Sequence, residues 1–307
     1  MNENYNHANL NLVELADTNS KIVFDLQGGT LLSWRIKDNR ETVVAVESLN
    51  QLENEISQDQ DSWKEVLYQG SSSKRTGIPI LFPFANPLKN DILDISGGKI
   101  GQHGFARNCL WQLDKIENGK VIIKLCEADL PKEIQTAYPF EFEVKIIVNI
   151  SKANKLIYKL EVTNLGQVNM PIAPGVHPYF PVKHDSKNQL LIFNNLENIS
   201  GKPVKSEKIL FDGESVDWNQ PSNGYFNDFE SQAMIDFGDD RAISIQETSG
   251  SPDFQNLVIW SQDTQEIDYN FVCVEPFTRK TNAINDNPIL IKPGTTWTVT
   301  LEFAVVS

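Results

Sequence analysis

Phe142-Glu143-Val144-Lys145-Ile146-Ile147-Val148-Asn149-Ile150 places an apolar side chain at every even position, with charged or polar residues at 143, 145 and 149. Successive side chains of a strand point to opposite faces, so a period of two marks a strand with one face in a core and the other in water. The pattern returns at Leu156, Tyr158, Leu160 and Val162, and again at Trp297, Val299, Leu301, Phe303 and Val305, interleaved with Thr298, Thr300 and Glu302. Between such runs, Ser96-Gly97-Gly98, Glu117-Asn118-Gly119 and Ser151-Lys152-Ala153-Asn154 are turn-forming clusters. The chain therefore reads as all-β, built on antiparallel sheet.

Two stretches do not alternate. Residues 46–70 are rich in Glu, Gln and Asp and suit a short surface helix or a long loop, and residues 197–230 read as irregular connection. Long connections on a rigid β scaffold are where binding residues concentrate. No repeat, low-complexity tract or linker divides the chain, so residues 1–307 are expected to form one domain. With 41 Asp and Glu against 27 Lys and Arg, the net charge of −14 repels phosphate backbones and anionic lipid surfaces. Nucleic acid and membrane are thereby poor partners, although a few cationic side chains can still line a pocket for a small anion. The N-terminus has no charged start followed by an apolar stretch, and no segment is long and apolar enough to span a bilayer. Cys109, Cys126 and Cys273 show no CxxC spacing. Neither a disulfide framework nor a structural zinc site is suggested, and a reducing cytoplasm is expected.

Four short motifs carry the candidate chemistry. Gly175-Val176-His177-Pro178-Tyr179-Phe180 and Cys273-Val274-Glu275-Pro276-Phe277-Thr278 each set a titratable side chain before a proline and near an aromatic ring. A residue before proline is held in extended geometry, which fixes the direction of its side chain. An acid and a base fixed in this way are what proton transfer requires. The segment Lys74-Arg75-Thr76-Gly77-Ile78-Pro79-Ile80-Leu81-Phe82-Pro83-Phe84-Ala85-Asn86-Pro87 spaces prolines four apart, so it should border a sheet or line a cleft. Gly101-Gln102-His103-Gly104-Phe105-Ala106-Arg107 adds a histidine and an arginine, whose planar fork suits a hydroxyl or a phosphate oxygen. His7 and His184 sit in polar stretches and read as solvated.

Taken in order, these motifs resemble those of the aldose 1-epimerase (galactose mutarotase-like) family, near its hexose-6-phosphate branch. The resemblance rests on Arg75 with Gly77-Ile78-Pro79 and Phe82-Pro83, on Gln102 to Arg107, on Gly175 to Phe180 and on Glu275 to Thr278. One departure is Thr76, where that branch has a glycine. The resemblance implies a large antiparallel β sandwich, an isomerase activity on a sugar or sugar phosphate, and no metal, nucleotide or redox cofactor. It implies Glu275 as general base on the anomeric hydroxyl and His177 as general acid on the ring oxygen. It further implies His103 and Arg75 as sugar-binding residues and an aspartate for sugar hydroxyls, for which Asp228 is the candidate; the forks of Arg75 and Arg107 suit a phosphate, and both a free and a phosphorylated hexose stay open. At unperturbed pKa values of about 4.3 and 6.5, a carboxylate and an imidazolium coexist near neutral pH with little tuning.

Two other readings compete. A carbohydrate-binding protein would keep the pocket without turnover, although binding alone needs neither an acid nor a base. A metal-dependent isomerase of the cupin type would use His103, His177 and Glu275 as two imidazoles and a carboxylate. Against the latter, no two of these ligands are closely spaced in sequence.

Overall fold

The computed structural model describes residues 11–37, 63–70, 75–150, 154–199, 202–208, 222–226, 232–239, 241–249, 253–262 and 270–306. The alternating segment becomes strand Phe142–Asn149, paired antiparallel with Lys155–Asn164 so that Val144 faces Val162, Ile146 faces Leu160 and Val148 faces Tyr158. Lys155–Asn164 in turn pairs with Thr296–Val306, setting Leu156 against Phe303, Tyr158 against Leu301 and Leu160 against Val299. The even residues of the first two strands are buried and the odd ones only half so. Fully burying one such aliphatic side chain is worth about 1.5–3 kcal/mol, and a one-residue slip would turn the whole set outward. Register is thus fixed by the hydrophobic pattern.

These three strands lie within a nine-stranded sheet that ends in Gln112–Glu117 on one side and Lys202–Lys208 on the other. A six-stranded sheet contains Phe271–Phe277, Asn256–Ser261, Gly175–Val176 and, at its edge, Ile80–Leu81. A four-stranded sheet begins the described chain with Leu12–Ala16, Ser20–Asp25 and Thr30–Lys37. One hydrophobic cluster, from Val13 to Phe303, joins residues of all three sheets, and only two short α-helices occur among the described residues, Lys132–Ala137 and Ala283–Asp286. This is the expected all-β sandwich.

The two non-alternating stretches differ from expectation. Residues 46–62 lie outside the described residues, whereas Trp63–Glu65 is a strand paired with Arg35–Lys37. Within 197–230, Leu191–Ile199 pairs with Lys202–Lys208, and Ser222–Phe226 pairs with Asn256–Ser261. Their ladders rest on backbone hydrogen bonds, which no side-chain pattern reports. Lys202-Pro203-Val204-Lys205-Ser206-Glu207-Lys208 carries too few apolar residues to show a period.

Candidate active site

Glu275 sits in strand Phe271–Phe277 on the same face as Cys273, because the two are separated by one residue. This strand pairs with two short neighbours, through Tyr179 opposite Cys273 and through Gly175 opposite Phe277. Carried through the gap between those pairings, the register sets His177 across from Glu275. The gap holds Pro178 and Pro276, neither of which has an N–H to give to a ladder. His177 is fixed from its other side, where its N–H donates to Pro79 O at 3.0 Å. The result is His177 Nε2 at 3.4 Å from Glu275 Oε2, with the two residues only 6% and 2% exposed. The close approach depends on Gly175, whose missing Cβ would lie 2.5 Å from the Phe277 ring.

His103 is held by a reciprocal clasp. The Asn86 N–H donates to His103 Nδ1 at 3.0 Å, and the His103 N–H donates back to Asn86 O at 3.1 Å. Both residues are left-handed, with φ of 68°, and Gly104 follows at φ 72° against the Phe82 carbonyl. Burial first, and the Arg107 charge second, hold the His103 pKa at about 3, so the ring is neutral. With Nδ1 engaged as an acceptor, the ring proton is on Nε2. His103 Nε2–H is therefore the donor in its 3.0 Å contact with the Gln102 side-chain amide, which must turn its oxygen toward the ring to accept.

A cavity of about 580 Å³ brings together Arg75, His103, Arg107, His177 and Glu275. Five of the six sequence-predicted site residues thus converge, and Asp228 lies outside the described residues. Arg75 is half-buried, its guanidinium carbon 5.6 Å from the centre of the Trp260 ring. Arg107 leaves the short 3₁₀ turn Ala106–Asn108 and donates to Gln102 O at 3.3 Å. Neither arginine has a carboxylate within ion-pair distance among the described residues, and Arg75 Nη1 and Arg107 Nε are buried without a hydrogen-bond partner. Of the other histidines, His184 is half-buried in the 3₁₀ turn His184–Gln189, and His7 lies outside the described residues.

Two wall residues escaped the sequence reading as site members. Tyr179 stacks on His177 with ring centres 4.7 Å apart and planes at 8°, and Trp260 meets His177 edge-on at 5.8 Å. Tyr179 stood within a motif and could have been found by its neighbour. Trp260 lies in an ordinary buried strand, and only the fold brings it to the pocket.

The charge states also depart from expectation. Burial pushes the Glu275 carboxyl well above the ordinary carboxylate range, with Arg107 pulling part of the way back. Burial, and then the neighbouring His103 and Arg107, hold His177 well below an ordinary imidazole. The dry site favours a neutral pair with the proton on Glu275 over the carboxylate and imidazolium inferred from unperturbed values. The two arrangements contain the same single proton, so passing from one to the other needs no exchange with solvent.

The sequence profile of the aldose 1-epimerase family matches residues 11–304. The chain belongs to the aldose 1-epimerase family. A protein of Cenchrus ciliaris described as a "putative glucose-6-phosphate 1-epimerase" is 22% identical over 290 residues, which cover 89% of this chain and 77% of that one. Among solved structures, Slr1438 of Synechocystis sp. PCC 6803 has the same fold, with a TM-score of 0.71 at 20% identity over 100% of this chain and 99% of that one. A galactose mutarotase related enzyme of Lactobacillus acidophilus follows, at a TM-score of 0.66 and 19% identity over 96% and 97% of the two chains. In this aldose 1-epimerase fold the four motifs meet at one cavity.

Proposed function

We propose that this aldose 1-epimerase interconverts the α and β anomers of a hexose 6-phosphate, with Glu275 and His177 as its acid–base pair. The observation that carries the chemistry is their 3.4 Å separation inside a cavity. The anomeric and ring oxygens are bonded to one carbon, so the groups serving them must be neighbours. Ring opening takes one proton from the anomeric hydroxyl and gives one to the ring oxygen. The C1–O5 bond breaks to leave the free aldehyde, rotation about C1–C2 presents its other face, and reclosure reverses the transfers. A pair holding one proton supplies this balance: Glu275 as carboxylate takes the hydroxyl proton while His177 as imidazolium gives one to the ring oxygen. The nearby Arg107 charge favours that ionised form of Glu275. His103 Nε2–H is a donor for a sugar hydroxyl, and the partly buried Trp260 in the cavity wall offers apolar surface to the ring carbons.

The phosphate follows from the two arginines. A neutral hexose would leave both guanidiniums half-buried with no carboxylate at ion-pair distance among the described residues, whereas a phosphate accepts forked contacts from both. The Cenchrus relative's description agrees with this reading. Three unpaired thiols fit a reducing compartment, so we place the enzyme in the cytoplasm.

Exchange NMR on α-D-glucose 6-phosphate and on α-D-glucose, corrected for spontaneous mutarotation, tests the proposal. Acceleration should be greater for the phosphate, and Glu275→Gln and His177→Asn should each lower kcat by roughly a hundred- to ten-thousand-fold. A charge-assisted contact is worth about 1.5–3 kcal/mol, so Arg107→Ala should raise KM for the phosphate roughly ten- to hundredfold, far more than it raises KM for the free sugar. Equal effects on the two sugars would remove the phosphate from the proposal, and an unimpaired Glu275→Gln variant would remove the acid–base pair.

A further inference from the structure

Beneath the pair lies a third donor that the epimerisation does not use. Cys273 Sγ, a ring nitrogen of His177 and a Glu275 oxygen all lie within 4.8 Å of one another. Thiolate, imidazole and carboxylate are the ligands zinc prefers, at lengths near 2.3, 2.0 and 2.1 Å. Tetrahedral bonds of those lengths put ligand atoms about 3.3–3.6 Å apart. The Nε2–Oε2 separation of 3.4 Å is already within that range, and the widest pair needs to close by only about an ångström. The cavity leaves room for a fourth ligand, a water or a sugar hydroxyl.

The ligand set is not the one the motifs suggested. His103 was the expected second imidazole, but its Nδ1 accepts the Asn86 N–H and its Nε2 carries the proton, so it has no lone pair to give. Cys273, on the same strand face as Glu275, takes that place.

We infer that Cys273, His177 and Glu275 form a site for a borderline-soft divalent cation, Zn²⁺ or Cd²⁺, whose binding inhibits the enzyme by occupying its acid–base pair. Coordination releases the Cys273 thiol proton and the one proton of the Glu275–His177 pair. Two positive charges enter as two leave, so the cation brings no added charge to a cavity that already holds two guanidiniums. His177 Nδ1 is buried without a hydrogen-bond partner, whereas a resident metal's histidine donates its second N–H to a carbonyl or carboxylate. The site therefore fits a reversible inhibitor that a chelator removes. The inhibition rests on the proposed roles of Glu275 and His177, but binding does not.

The test uses the full chain freed of metal with EDTA. Cd²⁺ should produce the near-ultraviolet thiolate-to-metal absorption in the wild type and not in Cys273→Ala, a readout independent of turnover. In the anomerisation assay Zn²⁺ should inhibit, EDTA should restore the rate and Mg²⁺ should do nothing. Cys273→Ala and Cys273→Ser should turn over like the wild type in the absence of zinc and need at least about tenfold more zinc for half-inhibition. The Ser variant serves if the Ala variant does not fold. Absence of the band in the wild type, its persistence in Cys273→Ala, or equal zinc sensitivity of the variants would each overturn the site. If the protein accelerates no anomer exchange while the band still depends on Cys273, the metal site stands and the epimerase proposal fails.

Discussion

At the scale of single residues, the site's behaviour follows from taking one carboxyl and one imidazole out of water together. Burial moves Glu275 up and His177 down. Each shift widens the pH range over which the pair holds exactly one proton between its two members, and that is the state competent for ring opening. For a hexose 6-phosphate, kcat/KM, which reports the free enzyme, should stay level between about pH 7 and 8.5. An unperturbed imidazole would instead lose its charged form by roughly 25-fold over the same span, and a fall of that size would refute the coupled pair. The same burial makes a stability prediction. Because the folded-state pKa of Glu275 lies above its unfolded value, the folded protein binds more protons between the two, and the stability this contributes is full below the unfolded pKa and is progressively lost as pH rises from there through the folded pKa. Glu275→Gln has no such loss, so its melting temperature should rise relative to the wild type on going from pH 5 to pH 8. A pH-independent difference would mean that Glu275 is ionised in the folded protein. None of this was legible in the sequence, where a Glu and a His 98 residues apart carry unperturbed pKa values until the fold fixes their distance and hydration.

Between residue and molecule stand the strands, and there the sequence was most informative where burial is one-sided. Phe142–Asn149, Lys155–Asn164 and Thr296–Val306 showed their inward faces because each has one face in the core and one in water. Asn256–Ser261 and Phe271–Phe277 are buried almost throughout, so they show no alternation. Their presence in the sequence was marked only by the Glu275-Pro276 motif. The prolines were informative for a physical reason: a missing N–H is tolerated where the ladder is interrupted, and that interruption is where His177 faces Glu275. Asp228 remained a candidate on sequence alone. Element geometry also yields a prediction. A methyl at Gly175 would meet the Phe277 ring at 2.5 Å and push apart the strands that set His177 opposite Glu275. Gly175→Ala should cost about 1–3 kcal/mol in chemical denaturation, the usual penalty of overpacking, and lower kcat by more than the population of unfolded protein explains. A variant with full kcat and wild-type stability would show that the register tolerates displacement.

Over the whole molecule, charge is arranged against itself. The chain carries −14 overall, yet the described lining of its main cavity offers two guanidiniums and one carboxyl that burial favours as neutral. The two facts operate at different ranges. Surface carboxylates act through water and are screened within about 8 Å at physiological salt, whereas half-buried guanidiniums act at contact, where screening is weak. Holding those cations desolvated costs stability that an anion returns, and only the folded protein has the cavity in which to bind it. Glucose 6-phosphate should therefore raise the melting temperature, by about 2.7 kcal/mol of added stability at a hundredfold excess over Kd, while glucose at the same concentration does less. Inorganic phosphate should reproduce part of the effect, since it meets the arginines without the sugar contacts. In an Arg75→Ala, Arg107→Ala double variant the inorganic phosphate effect should vanish, and glucose 6-phosphate should stabilise no more than glucose. The double variant should also be more stable than the wild type when no ligand is present, because two half-buried charges with no ion-pair partner among the described residues have been removed. Equal stabilisation by glucose and its 6-phosphate would mean that the arginines serve the sugar hydroxyls, and a less stable unliganded double variant would mean that their stems hold the cavity wall together.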